Sequence, residues 1–166
     1  MRAALFIAAL LLSALSLCAT ARELEATVTR VVDGDTLWLQ ADVEANGKKP
    51  RPFKMRLQGI DAPESCQAWG TQATAALNGR VLNQRVQVQT RSKDDYDRTL
   101  GNIRLQGEDV SAWMVSQGHA WSYRYRRSNG PYAEQELMAK TAKRGLFADA
   151  AAQEPRWFRK AHGSCF

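Results

Sequence analysis

Along the first half of the chain, apolar and polar residues alternate with the period of a β-strand. In "ELEATVTRVV" the apolar positions are Leu24, Ala26 and Val28, then Val31 and Val32; in "TLWLQ" they are Leu37 and Leu39. "DGD" lies between these runs, and an Asp-Gly pair is the turn chemistry that closes a hairpin. After a polar loop containing "EANGKKP", a third strand is predicted over residues 53–60. "RVQVQT", residues 85–90, alternates cleanly, and "RTLGNIRL" follows the turn "SKDDYD" as a further strand.

Helical periodicity appears between and after these strands. "QAWGTQATAALNGRVL", rich in Ala, Gln and Leu, predicts a helix over roughly residues 67–82. "DVSAWMVSQGH" puts Val110, Met114 and Val115 on one apolar face, and Pro131 opens the helix "YAEQELMAKTAKRG", which Gly145 ends. The order of three strands, helix, two strands and two helices lacks the regular alternation of a parallel sheet. It fits an α+β fold, a five-stranded OB-type Greek-key β-barrel with about three helices.

The chain has 166 residues, enough for one domain with a real core. Its start reads differently: Arg2 is a basic n-region, residues 3–17 are apolar, and "ATA" at residues 19–21 is a cleavage signal. The apolar run is short for a membrane span. The expectation is a cleavable signal peptide over residues 1–21, cut near Ala21, and a single domain over 22–166 with no stable membrane anchor. Such a protein would be periplasmic or secreted.

Export changes the reading of the cysteines. Cys18 leaves with the signal peptide, and the remaining pair, Cys66 and Cys165, is expected to form a disulfide in an oxidising compartment. A structural zinc site is not expected from two cysteines and two histidines. The balance of 23 Lys and Arg against 17 Asp and Glu, a formal +6 that includes Arg2, favours polyanionic partners, though many soluble proteins are basic.

Charge then appears where a strand tolerates it least. "MRLQGIDAPES" places Arg56, Asp61 and Glu64 among Met55, Leu57 and Ile60. In a regular strand Arg56 and Asp61 would lie about 16 Å apart, on opposite faces. Gly59 is where a bulge or bend can break the register, and Pro63 holds Ala62 extended and turns Glu64 off the strand line. Without such a break, Arg56 is a strand arginine beside a surface acid. Asp35 taken alone is turn chemistry, but with Asp61 it offers the hard oxygens that Ca²⁺ or Mg²⁺ takes, in a sparse site. Arg98 follows an acidic turn, with Tyr96 two positions earlier; its plainest role is a surface ion pair with Asp95 or Asp97. Gathered in one place, these groups suit phosphodiester cleavage. A cation and guanidinium forks would stabilise charge on phosphorus, while Glu64 orients or deprotonates water. His119 and His162 lack the spacing of a histidine-based nuclease and read as structural or surface residues.

The ordered set "VVDGDTL", "RLQGIDAPE" and "DYDRTLGNI" resembles the staphylococcal nuclease (thermonuclease) family over nearly the whole chain after residue 21. "QGHAW" and the C-terminal helix also fall in that family's order. The resemblance implies a five-stranded barrel with helices and a Ca²⁺-dependent nuclease that cuts DNA and RNA to 3′-phosphorylated products. Position by position, it implies that Asp35 and Asp61 are metal carboxylates and that Ala62 offers its backbone carbonyl. Arg56 and Arg98 correspond to phosphate-clamping arginines, Glu64 to the carboxylate assigned as general base, and Tyr96 to a nucleotide contact. Asp95 stands where the family has a lysine for a terminal phosphate. In "WSYRYRR", Tyr123 and Tyr125 match the nucleotide-stacking tyrosines if one gap is allowed; without it Arg124 and Arg126 fall there.

The rival readings are a non-catalytic OB-fold module that binds nucleic acid or another polyanion, and a basic envelope or cell-wall adaptor. All five of Asp35, Arg56, Asp61, Glu64 and Arg98 are present, which favours an enzyme acting on DNA or RNA, expected as a monomer.

Overall fold

Ala26, Val28, Leu37 and Leu39 have no accessible surface, while Thr27 and Trp38, which alternate with them, remain partly exposed. That alternation is the reason the first two strands lay one face on a core. The computed structural model describes residues 22–42 and 47–165. The expected signal peptide and its cleavage site lie outside these residues.

The strands, in order, are β1 (Arg22–Val31), β2 (Thr36–Ala41), β3 (Phe53–Leu57), β4 (Ile60–Asp61), β5 (Arg85–Lys93), β6 (Thr99–Leu105), β7 (Glu108–Asp109) and β8 (Trp121–Ser122). Antiparallel pairing runs β3-β2-β1-β5-β6, and a parallel contact of β3 with β6 closes these five into a barrel. The short β7 folds back on β6, and β4 pairs with β8 apart from the barrel sheet. Val28, Leu37, Leu39, Met55, Leu57, Val86, Val88 and Ile103 fill the core, each 1% exposed or less.

Two helices belong to this core. In α1 (Gly70–Val81), Ala73, Leu77 and Val81 turn inward; in α2 (Val110–Ser116), Val110, Met114 and Val115 do so. Asp109 starts α2 by accepting a hydrogen bond from the Ala112 amide at 3.1 Å, which satisfies one of the free N–H groups of the first turn. A second cluster joins Trp121, Phe147, Leu146 and Ala139 of α3 (Ala133–Thr141). Glu136, 2% exposed, ties α3 to β8 by accepting from the Ser122 amide at 2.9 Å while Arg124 and Lys140 neutralise it.

The single strand expected over 53–60 is two strands. It breaks after Leu57, and Gly59 takes φ +81°, a left-handed value that most side chains disfavour. The first helix begins at Gly70 rather than near residue 67, because Trp69 is also left-handed, with φ 71°. A fourth α-helix, α4 (Pro155–His162), joins the three legible from periodicity. Its signals are local: Pro155 in the first turn and Gly163 just past the end. Among the described residues no helix is long and apolar enough to cross a membrane.

His119 proves structural. Its Nδ1 accepts a hydrogen bond from Trp69 Nε1 at 3.3 Å, and its ring lies against Trp69 and Trp113. Burial lowers its pKa below the usual 6.5, and a lone pair used as an acceptor also favours the neutral ring. A base with a depressed folded pKa stabilises the fold above its unfolded pKa and loses that contribution as pH falls. The protein is therefore expected to lose stability below about pH 6.5 more steeply than a His119→Gln variant, as read from urea midpoints across that range.

Candidate active site

The hairpin turn and the β2–β3 register together bring Asp35 to Arg56. Thr36 pairs with Arg56 across the two strands, and the Leu57 amide donates to the Asp35 carbonyl at 2.7 Å. Arg56 Nη1 then donates to Asp35 Oδ1 at 2.7 Å. Because the chain turns at Gly59, Asp61 comes back beside the same guanidinium, and Arg56 Nη2 donates to Asp61 Oδ1 at 3.0 Å. Residues that a straight strand would hold about 16 Å apart thus share a hydrogen bond. The opening is too tight for a side chain at Gly59, where a Cβ would meet Pro131 Cγ at 2.7 Å.

Asp35 and Asp61 are 3% and 4% exposed, so their charges carry a desolvation cost. Burial pushes the Asp35 carboxyl up to about 6 from 3.8, against the opposing pull of Arg56. Its remaining hydrogen bonds come from the Thr36 hydroxyl at 3.0 Å and the Ala62 amide at 3.2 Å. Burial alone would lower the Arg56 pKa, but Asp35 and Asp61 hold it above its ordinary value. One guanidinium therefore fixes the spacing of two buried carboxylates.

Glu64 sits on the loop that follows. Its carbonyl accepts from the Gln67 amide at 2.9 Å, and Gly70 lets this loop approach: a Cβ there would stand 1.9 Å from the Glu64 carbonyl oxygen. Cys66 is bonded to Cys165, 99 residues away, with their Cα atoms 5.8 Å apart. The bridge brings in α4, and with it a residue that sequence reasoning missed. Arg159 Nη1 donates to Glu64 Oε1 at 2.8 Å and to Asp61 Oδ1 at 3.1 Å, and Nη2 donates to Asp61 Oδ2 at 2.9 Å. Burial would lower its pKa, yet these bonds hold it above the usual arginine value.

Arg56, Glu64 and Arg159 face a cleft of about 1240 Å³ that Arg98, Tyr96, Tyr123 and Tyr125 also line. Glu64 bonds Arg159 rather than Arg56 or Arg98. Arg98 is held by Asp94, not by Asp95 or Asp97: its Nε and Nη2 each reach Asp94 Oδ2 at 2.7 Å. Tyr96 is 80% exposed with the Arg98 guanidinium over its ring. In "WSYRYRR", Tyr123 and Tyr125 point to the cleft, whereas Arg124 turns to Glu136 and Glu154.

The donor set fits a hard divalent cation held mainly by few protein ligands and water. Asp35 and Asp61 present carboxylate oxygens on either side of one guanidinium, and the Ala62 amide donates to Asp35, which brings the Ala62 backbone beside them. Among the described residues no group of three or more His, Cys, Asp or Glu forms a closed metal cage. Carboxylate oxygens are the ligands that Ca²⁺ or Mg²⁺ takes.

The two arginines should differ in what they do for stability. Arg56→Ala removes the direct partner of a buried carboxylate and is expected to cost about 3–5 kcal/mol near neutral pH. Asp35 has a folded pKa raised above its unfolded value, so the fold favours its protonated form. That contribution is full below about 3.8 and is lost as pH rises through about 6. The Arg56→Ala penalty should therefore shrink as pH is lowered from neutral towards 4. Arg98→Ala removes a partly exposed pair and should cost about 1 kcal/mol or less. Urea unfolding of both variants at neutral and acid pH checks the contrast.

The family profile described as "Staphylococcal nuclease homologue" matches residues 54–149. The chain is 37% identical to "Micrococcal nuclease" of Shigella flexneri over 81% of its length and 79% of that protein's. It is 36% identical to "Protein ParB" of Escherichia coli, covering 84% of this chain and 82% of that one. An "Uncharacterized endonuclease" of Haemophilus influenzae is 32% identical over 91% of this chain and 81% of its own. The chain belongs to the staphylococcal nuclease family.

Proposed function

We propose that this nuclease is an exported, Ca²⁺-dependent enzyme that hydrolyses phosphodiester bonds of DNA, RNA or both, leaving 3′-phosphorylated ends. The observation that carries the reading is that Arg56, which pairs with both Asp35 and Asp61, lines one cleft with Glu64 and Arg98. Asp35, Asp61 and the Ala62 carbonyl would hold Ca²⁺ or Mg²⁺, which when bound polarises a phosphate oxygen and offsets charge on it.

Arg56 and Arg98 bind the scissile phosphate through their N–H groups and stabilise the charge that grows on its oxygens. Glu64 accepts a hydrogen bond from the attacking water and takes its proton as oxygen bonds to phosphorus. The bond from phosphorus to the 5′-oxygen breaks, and that oxygen takes a proton from solvent. Tyr123 and Tyr125, 45% and 62% exposed, offer ring faces on which unpaired bases stack, and Tyr96 offers another beside Arg98. A disulfide accords with an oxidising compartment, and so with export.

Plasmid DNA should be cut in the presence of Ca²⁺ and left intact in EDTA. Arg98→Ala should lower kcat on the order of 10³-fold, and Glu64→Gln by roughly 10²–10⁴-fold. Cutting that survives EDTA, or an Arg98→Ala protein as fast as the parent, would sink the reading. A barrel that only binds would retard the plasmid on a gel without nicking it.

A further inference from the structure

The guanidinium of Arg159 occupies the carboxylates that the proposed chemistry requires. It holds both oxygens of Asp61, and with the same Nη1 it also reaches Glu64. Asp61 thus accepts three guanidinium hydrogen bonds, two of them from Arg159. Each is charge-assisted, and the fork-to-fork geometry is the strongest form such a pair takes. Arg159 lies beyond residue 149, where the family match stops.

Its position is built rather than incidental. The side chain, 30% exposed, reaches from α4 to Glu64 on the loop after β4. Cys66 is two residues past Glu64, and Cys165 follows α4 by three, so one disulfide ties down both halves of the contact. The tether raises the local concentration of the guanidinium at Asp61 far above that of a free cation.

We infer that Arg159 sets the cation requirement of the site: a divalent ion binds Asp61 by displacing this guanidinium, which otherwise neutralises the carboxylate. The inference rests on the metal reading proposed above. A hard cation approaches a carboxylate oxygen more closely than a hydrogen-bonded guanidinium does, and the two positive charges repel across the same small group. Displacement also releases Glu64 Oε1 from Arg159, freeing its lone pair for water. The swap thus frees a general base as the cation arrives.

Calorimetric titration of Ca²⁺ into the full-length protein, Arg159→Gln and Arg159→Lys tests this without reference to activity. Arg159→Gln should bind Ca²⁺ at least about tenfold more tightly than the parent, because the competitor is gone. Arg159→Lys, which keeps the charge and loses the fork, should fall between them. In the unsubstituted protein, Ca²⁺ should raise amide deuterium uptake in residues 155–162, opposite to the protection that a bound ligand ordinarily gives. Equal or weaker Ca²⁺ binding by folded Arg159→Gln, or protection of that helix by Ca²⁺, would overturn the inference and leave the metal reading standing. Absence of Ca²⁺ and Mg²⁺ binding in the parent and both variants would overturn the metal reading, and this inference with it.

Discussion

Two carboxylates buried beside one guanidinium make the constraint around which the rest of this protein is arranged. Asp35 and Asp61 are buried next to an apolar barrel core, where an ionised group is costly unless paired. Arg56 spans them, and each of the three arrives from a different piece of chain: a hairpin turn, a central strand and the short strand beyond Gly59. The barrel must hold all three segments in register for the charges to cancel. A slip of one residue in β3 would turn Arg56 to the other face, leaving Asp35 without a guanidinium and Asp61 with Arg159 alone.

This arrangement also explains why so much irregular backbone gathers in a short span. Gly59 is left-handed, Ala62 donates its amide to Asp35, and Gly70 yields room for the loop of Glu64. Regular strand geometry could not bring these groups together. The rigid part of the fold lies to either side: the barrel below, and the Glu136 network that pins α3 to β8 above.

Much of this was legible in the sequence, for identifiable reasons. Alternation at Leu24, Ala26, Val28, Leu37 and Leu39 reports a one-sided strand, because burial itself has that period. Gly59 and Pro63 marked the break that joins Arg56 to Asp61, and the Cys66–Cys165 pairing followed from counting cysteines. Other features left no local trace. Arg159 meets its partners across 95 and 98 residues, and no periodicity encodes so distant a contact. The choice of Asp94 over Asp95 or Asp97 as the partner of Arg98 depends on the curl of the turn, with Asp97 itself left-handed at φ 57°. That Tyr123 and Tyr125 line the cleft while Arg124 does not depends on Glu136 and Glu154, which hold Arg124 from 12 and 30 residues away.

The sulfur link between Cys66 and Cys165 encloses most of the folded chain in a single covalent ring. A protease that nicks the backbone anywhere inside that ring leaves one molecule, not two fragments. The terminal helix stays leashed to the loop of Glu64 and can settle back after each excursion. Shedding it takes two separate chemical events, a cut and a reductant, so scission alone leaves Arg159 within reach of its carboxylates.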